Sequence, residues 1–122
     1  MKEVEMTTHE TISYVEFAAK DLSATKVFFQ TTFGWKFEDY GPEYTAFHES
    51  GLAGGFYQAS LCAQADKGSA LIVLYSHDLE ATLQKVLDGG GALKKEIFSF
   101  PGGRRFHFIE PSGNELAVWS DR

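Results

Sequence analysis

Tyr14-Val15-Glu16-Phe17-Ala18-Ala19-Lys20-Asp21-Leu22-Ser23-Ala24-Thr25 and, 57 positions later, Leu71-Ile72-Val73-Leu74-Tyr75-Ser76-His77-Asp78-Leu79-Glu80-Ala81-Thr82 are one pattern written twice. Each opens on a short run whose apolar residues suit a strand packed against a core. An aspartate follows where a side-chain oxygen can accept from the orphan backbone N–H groups of a helix start. The same offset carries Val15 and Phe17 onto Ile72 and Leu74, Asp21-Leu22 onto Asp78-Leu79, Ala24-Thr25 onto Ala81-Thr82, and Gly34 onto Gly91. Strand interiors, caps and helix stops are what recur, so the duplicated object is a supersecondary unit and not a binding motif.

Working outward, residues 12–18 read as a strand, and Asp21 or Ser23 caps a helix whose apolar face is Ala24, Val27, Phe28 and Thr31. Gly34 stops it. Extended segments at 35–38, 44–48 and 53–58 follow, separated by Gly41-Pro42 and Ser50-Gly51. The second half repeats the order. Residues 70–75 form a strand, Asp78 a cap, and Leu79, Leu83, Val86 and Leu87 a helical stripe ended by Gly89-Gly90-Gly91. Strands at 93–98, 104–109 and 115–119 close the chain, with turns at Pro101-Gly102-Gly103 and Pro111-Ser112-Gly113. The expectation is an α+β protein of two βαβββ modules, residues 11–60 and 70–120, joined by a polar connector at 61–69 and preceded by a loose polar leader at 1–10.

With 122 residues the two modules make one domain, large enough to bury roughly 65–70% of its unfolded surface. The net charge of -6 argues against a nucleic-acid partner or an anionic membrane, because phosphate neutralisation needs clustered Lys and Arg. Lys94-Lys95 and Arg104-Arg105 are the only basic pairs and read as solvated faces. The longest wholly apolar run, residues 70–75, is far short of the ~20 residues that span a bilayer, and residues 1–10 carry no apolar core of a signal peptide. The single cysteine, Cys62, excludes an intramolecular disulfide and fits a reducing, cytoplasmic setting. It lies in the connector without a sequence partner, so it is not read as a nucleophile. The glycine pairs lack the spacing of a phosphate loop or a dinucleotide fingerprint, so no nucleotide cofactor is expected.

Tyr14-Val15-Glu16-Phe17 before Asp21-Leu22, Phe28-Phe29 before Phe33-Gly34-Trp35, Ser76-His77-Asp78-Leu79-Glu80-Ala81, and Phe108-Ile109-Glu110-Pro111-Ser112-Gly113-Asn114-Glu115 together resemble the vicinal-oxygen-chelate superfamily, the glyoxalase, bleomycin-resistance and dioxygenase type. The resemblance runs from Ile12 to Ser120. It implies a curved sheet around a cleft in which His, Gln or Glu hold a divalent metal that chelates substrate oxygens. The first-strand ligand position falls on Tyr14, its second-half equivalent on Leu71 and the last-strand position on Ala117. The fourth lies within residues 53–58, where Gln58 is the only ligand type. Leu and Ala cannot coordinate, and a neutral phenol with a pKa of ~10 is a poor ligand. No metal is therefore expected at that site.

Alternation puts Tyr14 and Glu16 on the cleft face, together with Leu71, Val73 and Tyr75 and with Glu115, Ala117 and Trp119. The reading favoured is a small-molecule-binding protein with a degenerate metal site, its ligand held by Tyr14, Glu16, Tyr75 and Trp119 and, for an anion, by Arg105 and His107. Two enzymatic alternatives stay open. One is a metal-dependent lyase or dioxygenase using a displaced site of Glu16 and Glu115 with His48 or His107. The other is a metal-free catalyst in which Glu16, desolvated by apolar walls, acts as general base unless an ion pair such as one with Arg105 makes it inert. The resemblance also implies a homodimer, which exposed aromatic residues such as Trp35 or Phe100 would favour.

Overall fold

The computed structural model describes residues 7–122 and shows two modules of like topology. In the first, strand β1 (Val15–Ala19) leads to helix α1 (Leu22–Phe33) and strands β2 (Lys36–Asp39), β3 (Tyr44–His48) and β4 (Gly54–Gln58). In the second, β5 (Ile72–Tyr75) leads to α2 (Leu79–Asp88) and to β6 (Ala92–Phe100), β7 (Gly103–Ile109) and β8 (Glu115–Ser120). The sheets have matching orders, β1-β4-β3-β2 and β5-β8-β7-β6, with the first strand of each parallel to the last and the others antiparallel. They do not close on each other. The leader expected at 1–10 lies in part outside the described residues. The connector forms one 3₁₀ turn, Ala65–Lys67.

The repeat is visible atom for atom at the helix starts. Asp21 Oδ1 accepts from Ala24 N at 3.0 Å, and Asp78 Oδ1 from Ala81 N at 3.1 Å. The stops differ. Gly34 ends α1 in the left-handed conformation at φ 76°, whereas in the second module Gly90, not Gly91, takes positive φ after a helix two residues shorter.

One aromatic core runs through both modules. Phe28, Phe29, Trp35, Phe47 and Phe56 from the first join Phe106, Phe108, Leu116 and Val118 from the second, and Phe28 reaches Phe108 at a centroid distance of 5.9 Å. This sharing turns α1 away from the expected face. Its buried residues are Thr25, Phe28, Phe29 and Thr32, while Val27 is 55% exposed. Thr25 is buried because Glu110 of the other module accepts from its hydroxyl at 2.7 Å, a partner that apolar periodicity cannot register. In α2, Leu79 and Val86 are buried and Leu83 packs against the core, but Leu87 is 41% exposed. Trp35, expected on the surface, is instead stacked on Phe29 and Phe47 at 4.5 and 4.7 Å.

A turn lashes the modules together. Buried Glu110 accepts from Thr25 Oγ1, from the amides of Ser112 and Asn114, and from Asn114 Nδ2, which also donates to the carbonyl of Ala18 at 2.8 Å. Because a buried carboxylate is tolerable only when its lone pairs are occupied, this cage explains how Glu110 stays 1% exposed.

Candidate functional site

Each sheet buries one face under its helix; the other face is exposed at Tyr14, Glu16 and Tyr57 on the first sheet and only in part on the second, where Glu115, Ala117 and His107 are buried. On the first sheet the register sets Glu16 beside Gly55, Gly55 beside Ala46, and Ala46 beside Glu38. Two rows along the same face carry Tyr57 and Tyr44, and Tyr14 lies just ahead of Glu16 on the lead strand. Tyr14 Oη lies 2.6 Å from Tyr44 Oη, and Tyr44 donates to Glu16 Oε2 at 2.9 Å. Gly55 makes this possible, since a Cβ there would collide with the Tyr44 hydroxyl. Burial, with its hydrogen bonds to Tyr14 and Glu16, pushes the Tyr44 phenol well above its ordinary value, so Tyr44 keeps its proton. Glu16 itself is exposed, without the apolar walls expected around it, and its partner is Tyr44 and not Arg105.

On the second sheet the face away from the helix carries Val73 and Tyr75 from β5, Ala117 and Trp119 from β8, Arg105 and His107 from β7, and Phe98 and Phe100 from β6. Of these Ala117 and His107 are buried, and the accessible part runs from Val73 and Tyr75 past Trp119 to Arg105. The Arg105 guanidinium carbon sits 5.3 Å from the Phe98 ring centroid and 5.7 Å from that of Phe100. Among the described residues no carboxylate pairs with Arg105, and its buried Nε has no hydrogen-bond partner. Trp119 lies between Phe100 (6.4 Å) and Tyr75 (5.2 Å), and Tyr75 donates to Asp121 at 2.6 Å. His107 is 2% exposed, its Nδ1 is 2.8 Å from Glu115 Oε2, and its Nε2 is unpartnered. Burial acts to raise the Glu115 carboxyl, but the hydrogen bonds from His107 and from the Ala65 amide outweigh it and hold Glu115 below the ordinary carboxylate value.

The six expected ligand residues thus fall into two sets, Tyr14 and Glu16 on one sheet and Tyr75, Arg105, His107 and Trp119 on the other, with no hydrogen bond or ring contact joining the sets among the described residues. Glu115 and His107 do meet, while Glu16 and His48 lie on the other sheet. Sequence reasoning missed Tyr44, Phe98 and Phe100. Alternation along β3 and a glycine facing Tyr44 were the available signals for the first. The β6 pair was obscured by register irregularities between Leu93 and Phe98.

The residues present do not fit the family's divalent ion. Register pairs Val73 with Ala117 and His107 with Ala117, so the ligand types near Ala117 are His107 and Glu115, which are hydrogen-bonded to each other, and no third one joins them among the described residues. Gln58, the remaining donor, belongs to the opposite face of its sheet from Tyr14 and donates to the Lys20 carbonyl at 2.8 Å. Among the described residues no three His, Cys, Asp or Glu side chains converge as a metal would require.

Between the free edge of β5 and the first sheet runs a groove of about 550 Å³, lined by Val15, Phe17, Trp35 and Phe47 on one side and by Leu71 to Tyr75 on the other. Its size suits a drug-sized ligand and its walls are apolar. No helix among the described residues is long and apolar enough to cross a membrane.

Residues 11–118 match the family model described as Glyoxalase/Bleomycin resistance protein/Dioxygenase superfamily, and the chain belongs to that family. No functionally curated protein matches the sequence. Among solved structures, a glyoxalase-related enzyme from Fulvimarina pelagi superposes with TM-score 0.75 at 16% identity, covering 91% of this chain and 88% of that one. A genomically encoded fosfomycin resistance protein from Listeria monocytogenes gives 0.76 at 16%, covering 93% and 94%. A lactoylglutathione lyase from Agrobacterium tumefaciens gives 0.69 at 17%, covering 93% and 96%. At such identities the likeness establishes the fold.

Proposed function

We propose that this chain is a small-molecule-binding protein that works without the family's divalent metal and that its second sheet takes an anionic, partly aromatic ligand. The observation that carries this reading is Arg105: a guanidinium held over Phe98 and Phe100, in register with Trp119, with no carboxylate paired to it among the described residues. An arginine left unpaired on an aromatic platform offers its donor fork to a carboxylate or phosphonate, while the rings stack against an apolar body. Tyr75 and the apolar groove beside β5 extend the contact surface. His107 lies next to Arg105 in register on the same side of the sheet and is held through Nδ1 by Glu115, but its unpartnered Nε2 is buried, so Arg105 and not His107 is the group that meets the ligand. Solvent-accessible Cys62 without a disulfide partner supports a reducing, cytoplasmic setting. The free edges of β1 and β5 and the open groove between them support a symmetric homodimer, although Trp35 no longer does.

Calorimetric titration with benzoate and with phenylphosphonate tests the anion reading. Binding of at least one, weakened tenfold or more in Arg105→Gln, is the expected result; neither anion binding at millimolar concentration overturns it. Elemental analysis of the purified protein tests the other half. One tightly held divalent ion per chain overturns the metal-free reading.

A further inference from the structure

Four of the chain's five tyrosines, Tyr14, Tyr40, Tyr44 and Tyr57, share the open face of the first sheet. Tyr40 comes onto it because it follows β2 and its amide donates to the Tyr44 carbonyl at 3.0 Å. Such a concentration is not explained by the core. Tyr14, Tyr40 and Tyr57 are 44%, 60% and 39% exposed, and the hydrophobic cluster on the other side of the sheet is built from phenylalanines and Trp35. The floor between the rings is a small-residue pair, Gly55 and Ala46, with a carboxylate at each end of the row, Glu16 and Glu38.

We infer that this face is a binding site for an organic ammonium ion, a primary or substituted amine in its protonated form, distinct from the anion site on the second sheet. The hydrogen-bond polarity favours it. A carboxylate at Glu16 can only accept, so the single proton of Tyr44 goes to Glu16; Tyr44 then accepts, and the proton of Tyr14 goes to Tyr44. What Tyr14 has left to offer outward is oxygen lone pairs, backed by a carboxylate through two phenols. Such a group takes an N–H donor and prefers a cation. On the far side Tyr40 stands beside Glu38, whose charge holds the Tyr40 phenol in its protonated form. The tyrosine faces add attraction for a positive charge through their ring quadrupoles. Lys36 and His48 sit one row beyond Glu38 and Ala46, so the cation is expected at the Glu16 end, away from the lysine.

The polarity argument also yields a test that a merely structural role would not pass. In Glu16→Gln the amide can donate to Tyr44, which turns the proton chain outward so that Tyr14 becomes a donor and loses its preference for a cation. Titrations followed by the amide spectrum of the whole chain, with benzylammonium as the probe and benzyl alcohol as its neutral counterpart, read this directly. Expected are benzylammonium-induced shifts centred on Tyr14, Glu16 and Tyr44, at least tenfold weaker binding than wild type in Glu16→Gln, and clear weakening in Tyr44→Phe, which cuts the chain while keeping the ring. Benzyl alcohol is expected to bind the wild type more weakly than benzylammonium. Equal binding of the two probes, unchanged benzylammonium affinity in folded Glu16→Gln, or shifts mapping elsewhere overturns the inference.

Discussion

At the scale of single residues, Glu115 shows what burial demands of a charge. It is 2% exposed, and its two oxygens take the Ala65 amide at 3.0 Å and His107 Nδ1 at 2.8 Å. Its folded pKa is depressed, so the stability it contributes is present above the ordinary value of 4.5 and is lost as pH falls through the lower folded value. Glu115→Gln should cost about 1.5–3 kcal/mol at pH 7, the worth of hydrogen bonds to a charged group. Urea unfolding should show that deficit shrinking below pH 4.5. A deficit constant across the range would mean that the shape of the side chain, not its charge, matters. Alternation grouped Glu115 with Ala117 and Trp119 and, separately, Arg105 with His107; that Glu115 and His107 meet was open in the sequence only as one form of a displaced site, because the contact is diagonal across two strands.

At the scale of elements, the repeat made both modules legible: Val15/Ile72 and Asp21/Asp78 sit in equivalent places in the two strand-helix units. Less legible was which side of α1 is buried, because Thr25 and Thr32 are polar by composition and buried by tertiary contact. The site was legible only in part for the same reason. Tyr14 and Glu16 could be placed on one face, whereas Tyr44 is tied to them by a hydrogen bond between strands that are not neighbours. Two predictions belong here. Gly55→Ala places a methyl group against the Tyr44 hydroxyl, the movable end of a side chain; the protein should remain folded at a cost of about 1–3 kcal/mol while the tyrosines are displaced and benzylammonium binding falls. Glu110→Gln leaves one oxygen where four donors converge and sets an amide N–H₂ against Asn114 Nδ2. The expected loss is on the order of 3 kcal/mol in urea unfolding, and a variant as stable as the parent would show that the cage is not what joins the modules.

At the scale of the whole molecule, two open sheets of the same topology each end on an unpaired lead strand, β1 and β5, with an apolar groove between. Free edges of this kind invite pairing, and light scattering at micromolar concentration should give the mass of two chains. A monomer throughout that range would count against the dimer. Which residues share a face was legible from alternation, but the dimensions of the groove were not, because the sequence specifies each module's pattern and not how far apart the two lead strands stand.

The cage around Glu110 bears on how the chain is made. Thr25 and Ala18 wait for partners 85 and 96 positions further on, and closing loops of that size is entropically costly and slow. During synthesis the first module emerges with its α1 aromatic side, Phe28 above all, still lacking Phe108, so it is born incomplete although its pattern is whole. A ribosome-bound chain halted before Glu110 should therefore be cleaved readily by added protease, and one extended well past Asn114 should resist. The unit is written twice in the sequence, but the first copy is expected to reach its final packing only when the last strands arrive.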